Sequence, residues 1–260
     1  MNVLWVVAAP ERSSLTSSLH EAGLQTLRDL GHDCRVSDLY AMRWKATVDR
    51  DDFGGRAAES TAMTTASQQA YDTGRLSPDI LQEQEKLAWA DAVVFSFPLW
   101  WYGMPAILKG WFDRVFVKGF AYDVKDPDDP RRTLRYGEGR LAGKRALVLV
   151  SYGSRSSAVG PRGISGQLDE VLFPLLHGTL WYTGMQVLPP VRIDDADRMT
   201  PERYQDARAT VRSALAGLEM TAPIPYRCQS SGEYERGVLR PDILPEQVGL
   251  SIHTASSVGS

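Results

Sequence analysis

A parallel α/β sheet with helices on both faces is the fold class that the sequence predicts, and three observations carry it. Short, continuous apolar runs recur at Val3–Ala8, Asp91–Phe97, Arg145–Ser151 and Met185–Val191, as expected for strands buried on both sides. Segments with a helical period stand between them. Turn-forming residues follow the ends of the runs.

In chain order, Val3–Ala8 reads as the first strand and ends at Ala9-Pro10. Ser13 and Ser14 can cap a helix bearing Leu15, Leu19, Ala22, Leu27 and Leu30, which Gly31 closes. Cys34–Leu39 resumes strand character, and residues 40–76 form a long excursion accommodating one helix. Ser77-Pro78-Asp79 is a helix start, because Ser caps, Pro needs no N–H partner there and Asp suits the positive helix end. That helix runs to Ala90, ahead of the strand Asp91–Phe97. Pro105 opens a helix to about Phe116, and the charged, proline-bearing stretch 123–139 reads as an exposed loop. After the strand Arg145–Ser151, an apolar helix spans Ser165–Tyr182, a strand spans Met185–Val191 and a helix runs from Pro201 to about Leu218. Residues 1–220 are expected to form one domain, with 221–260 an extension lying on it or on a partner subunit.

Composition narrows the function. Hydrophobic residues make up 43% and charged residues 23% of 260, which suits a globular chain with a sizeable core. A net charge of -3 gives no general attraction for nucleic acid or anionic lipid. No apolar stretch reaches the length of a membrane span, and the start of the chain lacks a basic secretory leader, so the expected compartment is the cytoplasm. Cys34 and Cys228 form no CxxC motif, and His20, His32, His177 and His253 lack ligand spacing, so no metal is expected. GxGxxG, GxxxxGK[ST] and GxSxG motifs are absent, which argues against a Rossmann dehydrogenase, a phosphate-loop hydrolase and an esterase.

Ligands of open parallel sheets bind beyond the carboxyl ends of the strands. Three loops stand there. Residues 9–17 lead into a helix N-terminus that could hold phosphate through backbone N–H groups, hydroxyls and Arg12. Residues 97–104 carry aromatics able to wall a flat ligand; core packing explains such rings more often in isolation, but their place at a strand's carboxyl end favours a ligand. Residues 151–157 follow another strand, with Gly153 permitting close backbone approach.

The segment Phe97-Pro98-Leu99-Trp100-Trp101-Tyr102-Gly103-Met104-Pro105-Ala106-Ile107-Leu108-Lys109-Gly110-Trp111-Phe112-Asp113-Arg114-Val115-Phe116 resembles the signature of the NAD(P)H:quinone oxidoreductase family. Further likeness lies in Ser37–Met42, Leu76–Ile80, Phe120-Ala121-Tyr122, Gly184–Leu188 and Gly249-Leu250-Ser251. The resemblance implies a flavodoxin-like fold: a doubly wound five-stranded parallel sheet in three α/β/α layers. It implies a homodimer with active sites at the subunit interface, bound FAD with FMN as the alternative, and ping-pong hydride transfer from NAD(P)H through flavin N5 to a quinone. Azo- or nitro-aromatic acceptors, or a flavin-binding regulatory protein with weak catalysis, are the alternatives.

Carried over by position, Arg12, Ser13, Ser14, Leu15 and Thr16 would meet the cofactor phosphates. Pro98, Leu99, Trp100, Trp101 and Tyr102 would flank the flavin ring, and Ser151, Tyr152, Gly153 and Ser154 would face its polar edge. Trp101 and Tyr102, with Tyr122 from across the dimer, would line the substrate pocket. The family's histidine near the phosphate loop is here Ala9, and its tyrosine and histidine thought to stabilise the reduced flavin are Val159 and Ser165 at the substrate site. Tyr152, Arg155 or Arg162 is expected to supply that stabilisation instead. The arginines at 131, 132 and 135 could hold a 2′-phosphate, or simply belong to an exposed charged loop.

Overall fold

The computed structural model describes residues 1–55 and 62–255; residues 56–61 of the predicted excursion and 256–260 of the predicted extension lie outside the described residues. The chain runs β1 (Asn2–Val7), α1 (Leu15–Asp29), β2 (Asp33–Asp38), α2 (Met63–Asp72), α3 (Pro78–Trp89), β3 (Ala92–Pro98) and α4 (Ala106–Val115). It continues through β4 (Val124–Lys125), β5 (Thr133–Leu134), β6 (Arg145–Ser151), α5 (Leu168–Leu175), β7 (Gln186–Val187), β8 (Val191–Ile193), α6 (Pro201–Ala216), β9 (Tyr234–Glu235) and β10 (Val238–Leu239).

The main sheet is parallel in the order β2-β1-β3-β6-β7, with β8 also paired to β6. Strand order therefore reverses between β1 and β3, the switch point at which ligands bind in flavodoxin-type sheets. Alternate residues of β1 feed opposite cores: Leu4 and Val6 join Phe95, Ile80, Leu108 and Trp111 on one face. Val3, Trp5 and Val7 join Leu19, Leu27, Val211 and Leu215 under α1 and α6 on the other. Each fully buried aliphatic or Phe side chain contributes about 1.5–3 kcal/mol, so the two apolar layers dominate cohesion.

The excursion after β2 is fixed by buried charge. Asp52 and Arg114 are each 1% exposed and pair at 2.8 Å, and Asp52 also accepts from Lys45 Nζ at 3.0 Å. Gly110 of α4 is required here, since a Cβ at that position would stand 1.9 Å from Ala46 O. Nearby, Glu83 is fully buried and accepts from Ser37 Oγ, Trp111 Nε1 and Lys86 Nζ, tying α3 to β2 and α4.

Four sequence expectations need correction. The fifth sheet position is two strands, because Pro189-Pro190 cannot donate to a ladder and separates β7 from β8. The predicted helix 165–182 starts as α5 at Leu168 and passes into a π-helical segment at Leu176–Trp181, just beyond Pro174, whose missing N–H disrupts the ladder. Stretch 123–139 contains the small antiparallel pair β4–β5. The excursion holds a 3₁₀ turn at Arg50–Phe53 besides the one expected helix, α2. In the tail, Ile224 N donates to Val187 O, and β9 and β10 form a hairpin.

Candidate functional site

The loops after β1, β3 and β6 leave three adjacent strands whose carboxyl ends stand level: Val7 pairs with Ser96, and Pro98 with Ser151. In the first loop Ser14 has an extended backbone and caps α1, its Oγ accepting from Ser17 N at 3.2 Å. Ser17 Oγ donates to Glu11 O at 2.7 Å, closing the loop on itself. Arg12 and Ser13 are exposed, and Leu15 is half-buried. The N–H groups of Leu15 and Thr16 fall in the first helical turn, where no acceptor exists within the helix. The first turn of α1 also carries no acidic side chain, so its positive end is unopposed from within the helix.

The second loop is a tight hairpin. Trp100 N donates to Gly103 O at 2.9 Å and Gly103 N to Trp100 O at 3.0 Å. Trp101 and Tyr102 between them have φ of 49° and 61°, a pattern normally given to Asn-Gly. Bulky residues there carry strain of about 1–3 kcal/mol each, and such strain gathers at functional sites. Trp101 is 98% exposed and Tyr102 56%, so the rings are held outward.

The third loop is fastened to both others. Ser151 O accepts from Leu99 N at 2.8 Å, and the buried Ser151 Oγ lies 2.9 Å from Thr16 Oγ1. Ser165 Oγ accepts from Tyr102 Oη at 3.3 Å. A turn beyond β8 braces this loop from behind: Asp195 N donates to Ser154 O, Ala196 N to Tyr152 O, and Ser156 N to Asp194 Oδ2. Arg203 of α6 holds the turn, with Nη1 2.7 Å from Asp195 Oδ2 and Nη2 3.2 Å from Asp194 Oδ1. A Cβ on Gly153 would meet Asp197 Oδ2 at 2.1 Å, so glycine admits the carboxylate.

The expected residues fall into distinct groups. Pro98, Leu99, Trp100, Trp101, Tyr102, Ser151, Gly153, Ser154 and the first loop share the carboxyl edge of the sheet. The hydroxyls of Thr16 and Ser151 are corrected from ligand contacts to an interior pair, because each is about 3% exposed and satisfies the other. Tyr152 is 6% exposed, and burial, aided by Asp194, holds its phenol above the ordinary value. Arg155 and Arg162 are exposed, and among the described residues no hydrogen bond or ion pair joins them to Tyr152. Val159 belongs to the apolar core. Tyr122 lines a different cavity of 110 Å³ with Phe53 and Phe116. Arg131 pairs with Asp129, Arg132 with Asp126 and Glu138, and Arg135 Nε donates to Gln229 Oε1. The 123–139 arginines at 131 and 132 therefore serve the loop itself.

The brace Asp194–Asp197 with Arg203 was missed in the sequence. Its signal was an acidic run, Asp194-Asp195-Ala196-Asp197, directly after the last parallel strand and at a carboxyl end left without a reading.

The chain matches the family described as having a flavodoxin-like fold over residues 1–216. It is 46% identical over 235 residues to the ribosyldihydronicotinamide dehydrogenase-like protein traD of Penicillium crustosum, covering 90% of this chain and 87% of that protein. It is 38% identical over 210 residues to NAD(P)H dehydrogenase [quinone] 1 of Rattus norvegicus, covering 80% of this chain and 72% of the relative. A solved structure of a candidate quinone reductase from Klebsiella pneumoniae superposes with a TM-score of 0.94 at 46% identity, covering 98% of this chain and 100% of that one.

Proposed function

Since the chain belongs to the flavodoxin-like NAD(P)H:quinone oxidoreductase family, we propose that it is a flavin-dependent oxidoreductase passing hydride from NAD(P)H to a quinone. The observation that carries this reading is the fastening of three ligand-type loops at one switch point, through the Thr16–Ser151, Leu99–Ser151 and Tyr102–Ser165 hydrogen bonds.

The donor set fits a flavin nucleotide. The first-turn amides of α1, with exposed Arg12 and Ser13 and half-buried Ser14 beside them, suit an anionic phosphate. The loop 151–154 stands at the carboxyl edge of β6, where backbone N–H groups can meet the polar edge of a ring and hold negative charge. The exposed rings of Trp101 and Tyr102 supply flat walls beside the reacting face. When bound, a flavin supplies the hydride-accepting and hydride-donating chemistry that no side chain possesses. Arg155 and Arg162, exposed and permanently charged, remain the residues of this chain suited to balancing negative charge there.

FAD as the resident flavin, a homodimer and a cytoplasmic setting are the finer parts of the proposal. The dimer reading draws support from Trp101 and Ile164, which are 98% and 99% exposed and would be covered by a second copy. The compartment reading draws on two unpaired cysteines and on the absence, among the described residues, of a helix long and apolar enough to cross a membrane. In this reading residues 1–220 form the catalytic domain and the extension packs across it.

Steady-state oxidation of NADH and NADPH with a naphthoquinone acceptor tests the assignment. Turnover that requires flavin and falls steeply in Trp101→Ala is expected. A flavin-loaded protein without quinone-dependent turnover would instead favour a regulatory role.

A further inference from the structure

The turn beyond β8 grips the loop after β6 by its carbonyls, and that choice decides where the loop's N–H groups point. Ala196 N donates to Tyr152 O and Asp195 N to Ser154 O, each at 3.0 Å. The peptide bonds here are trans, and in a planar trans peptide the C=O of one residue and the N–H of the next point in opposite directions. With the Tyr152 and Ser154 carbonyls turned toward the brace, the N–H groups of Gly153 and Arg155 are turned away from it. β6 lies between β3 and β8 in the sheet, so that direction leads to the side of Trp101 and Tyr102. Among the described residues neither N–H has an acceptor, whereas Tyr152 N is committed to Ile193 O and Ser156 N to Asp194 Oδ2. The loop therefore presents two free donors to the switch point.

The turn that sets this aim is itself held by one side chain. Asp195 has φ of 53° and ψ of 35°, a left-handed conformation that favours glycine, and it is 7% exposed. Arg203 of α6 reaches across to it: Nη1 donates to Asp195 Oδ2 at 2.7 Å, and Nη2 to Asp194 Oδ1 at 3.2 Å and Asp194 O at 3.3 Å. One planar guanidinium fork thus fixes two consecutive residues. The Thr200 cap accepts from Arg203 N at 3.3 Å, so the helix end that carries Arg203 is fixed as well. Arg198 also pairs with Asp195, but it is exposed and belongs to the turn that has to be held. Asp197, which lies against Gly153, makes no ion pair among the described residues.

We propose that Arg203 is a positioning residue of the reaction: by clamping Asp194 and the left-handed Asp195, it aims the Gly153 and Arg155 N–H groups at the ring edge where negative charge gathers. The inference rests on the redox reading above for its ligand. A hydride carries two electrons and one proton, so its transfer leaves NAD(P)⁺ behind and adds one negative charge to a flavin; aimed N–H donors favour that charged state over the oxidised one. Arg203 acts only through the loop.

Two measurements on the full chain test it. In the flavin-free protein, hydrogen exchange read by mass spectrometry on peptides spanning 194–197 should be roughly tenfold faster in Arg203→Met than in wild type, the effect of losing a charged hydrogen bond on local opening. In the flavin-loaded protein, the midpoint potential, read from the visible spectrum in equilibrium with a reference dye, should fall in Arg203→Met by about 30 mV, a tenfold loss in a two-electron equilibrium. Adding Asp195→Gly should restore most of the potential, because glycine takes the left-handed conformation without a clamp. Adding Asp197→Asn, which restores the same net charge at the carboxylate lying against Gly153, should not. Arg203→Lys keeps the charge without the fork and should fall between wild type and Arg203→Met, which keeps the test decisive should Arg203→Met fail to fold. Unchanged exchange in the turn, an unchanged potential, or equal rescue by the two aspartate changes would overturn the proposal, the last by assigning the effect to charge alone. A chain that binds neither FAD nor FMN would defeat the redox reading and this proposal together, whereas bound flavin with a potential indifferent to Arg203 would defeat this proposal alone.

Discussion

Thr16 Oγ1 and Ser151 Oγ, 135 residues apart, meet at 2.9 Å in the interior and join the first turn of α1 to the end of β6. The bond fixes the phosphate-type loop against the loop expected to face the flavin ring. Removing one partner leaves a buried hydroxyl unsatisfied, at a cost of about 1–3 kcal/mol. Thr16→Val should lower stability by that amount in urea denaturation and weaken flavin retention. Thr16→Val with Ser151→Ala should recover much of the stability, because both polar groups are then gone.

The strained hairpin predicts a trade of stability against function. Trp101→Asn with Tyr102→Gly gives the turn the residues its positive φ angles favour. Melting of the flavin-free protein should rise, corresponding to about 1–2 kcal/mol. Quinone turnover should fall as the walls are lost, and unchanged turnover would deny these rings a role.

Arg114 and Asp52 predict a large effect far from the carboxyl edge. Truncating one member of a buried ion pair costs about 3–5 kcal/mol, and the low end applies here because Lys45 still reaches Asp52. Chemical denaturation of Arg114→Met should show a loss of that order, and Arg114→Met with Asp52→Leu a smaller one.

His20 is buried beside Trp5, its Nδ1 has no partner among the described residues, and burial lowers its pKa from 6.5 to about 4. Between those values the unfolded chain binds the extra proton, so stability is full above pH 6.5 and declines as pH falls toward 4. The decline amounts to about 3 kcal/mol from this residue. His20→Phe should flatten the stability profile across that window, and an unchanged slope would mean that other groups govern it.

The three central strands were legible because β1, β3 and β6 are nearly continuous apolar runs, and the parallel winding followed from the helices between the runs. Ser14 as a cap was equally legible, since serine before an apolar helical face has few other reasons to be there. Side-chain commitments were not. Whether Thr16 offers its hydroxyl to a ligand or to Ser151, and whether Tyr152 faces outward, depends on contacts between residues far apart in sequence. Local pattern also could not reveal that Pro189-Pro190 divides a strand while Pro174 only shifts a helix into π geometry.

The most direct test is to purify the protein, saturate it with FAD, and record its visible spectrum under anaerobic conditions before and after adding NADPH and then a quinone. The account predicts bound flavin whose colour is bleached by NADPH and restored by the quinone. Failure of the protein to bind either FAD or FMN, or bound flavin that NADPH and NADH leave unchanged, would contradict it.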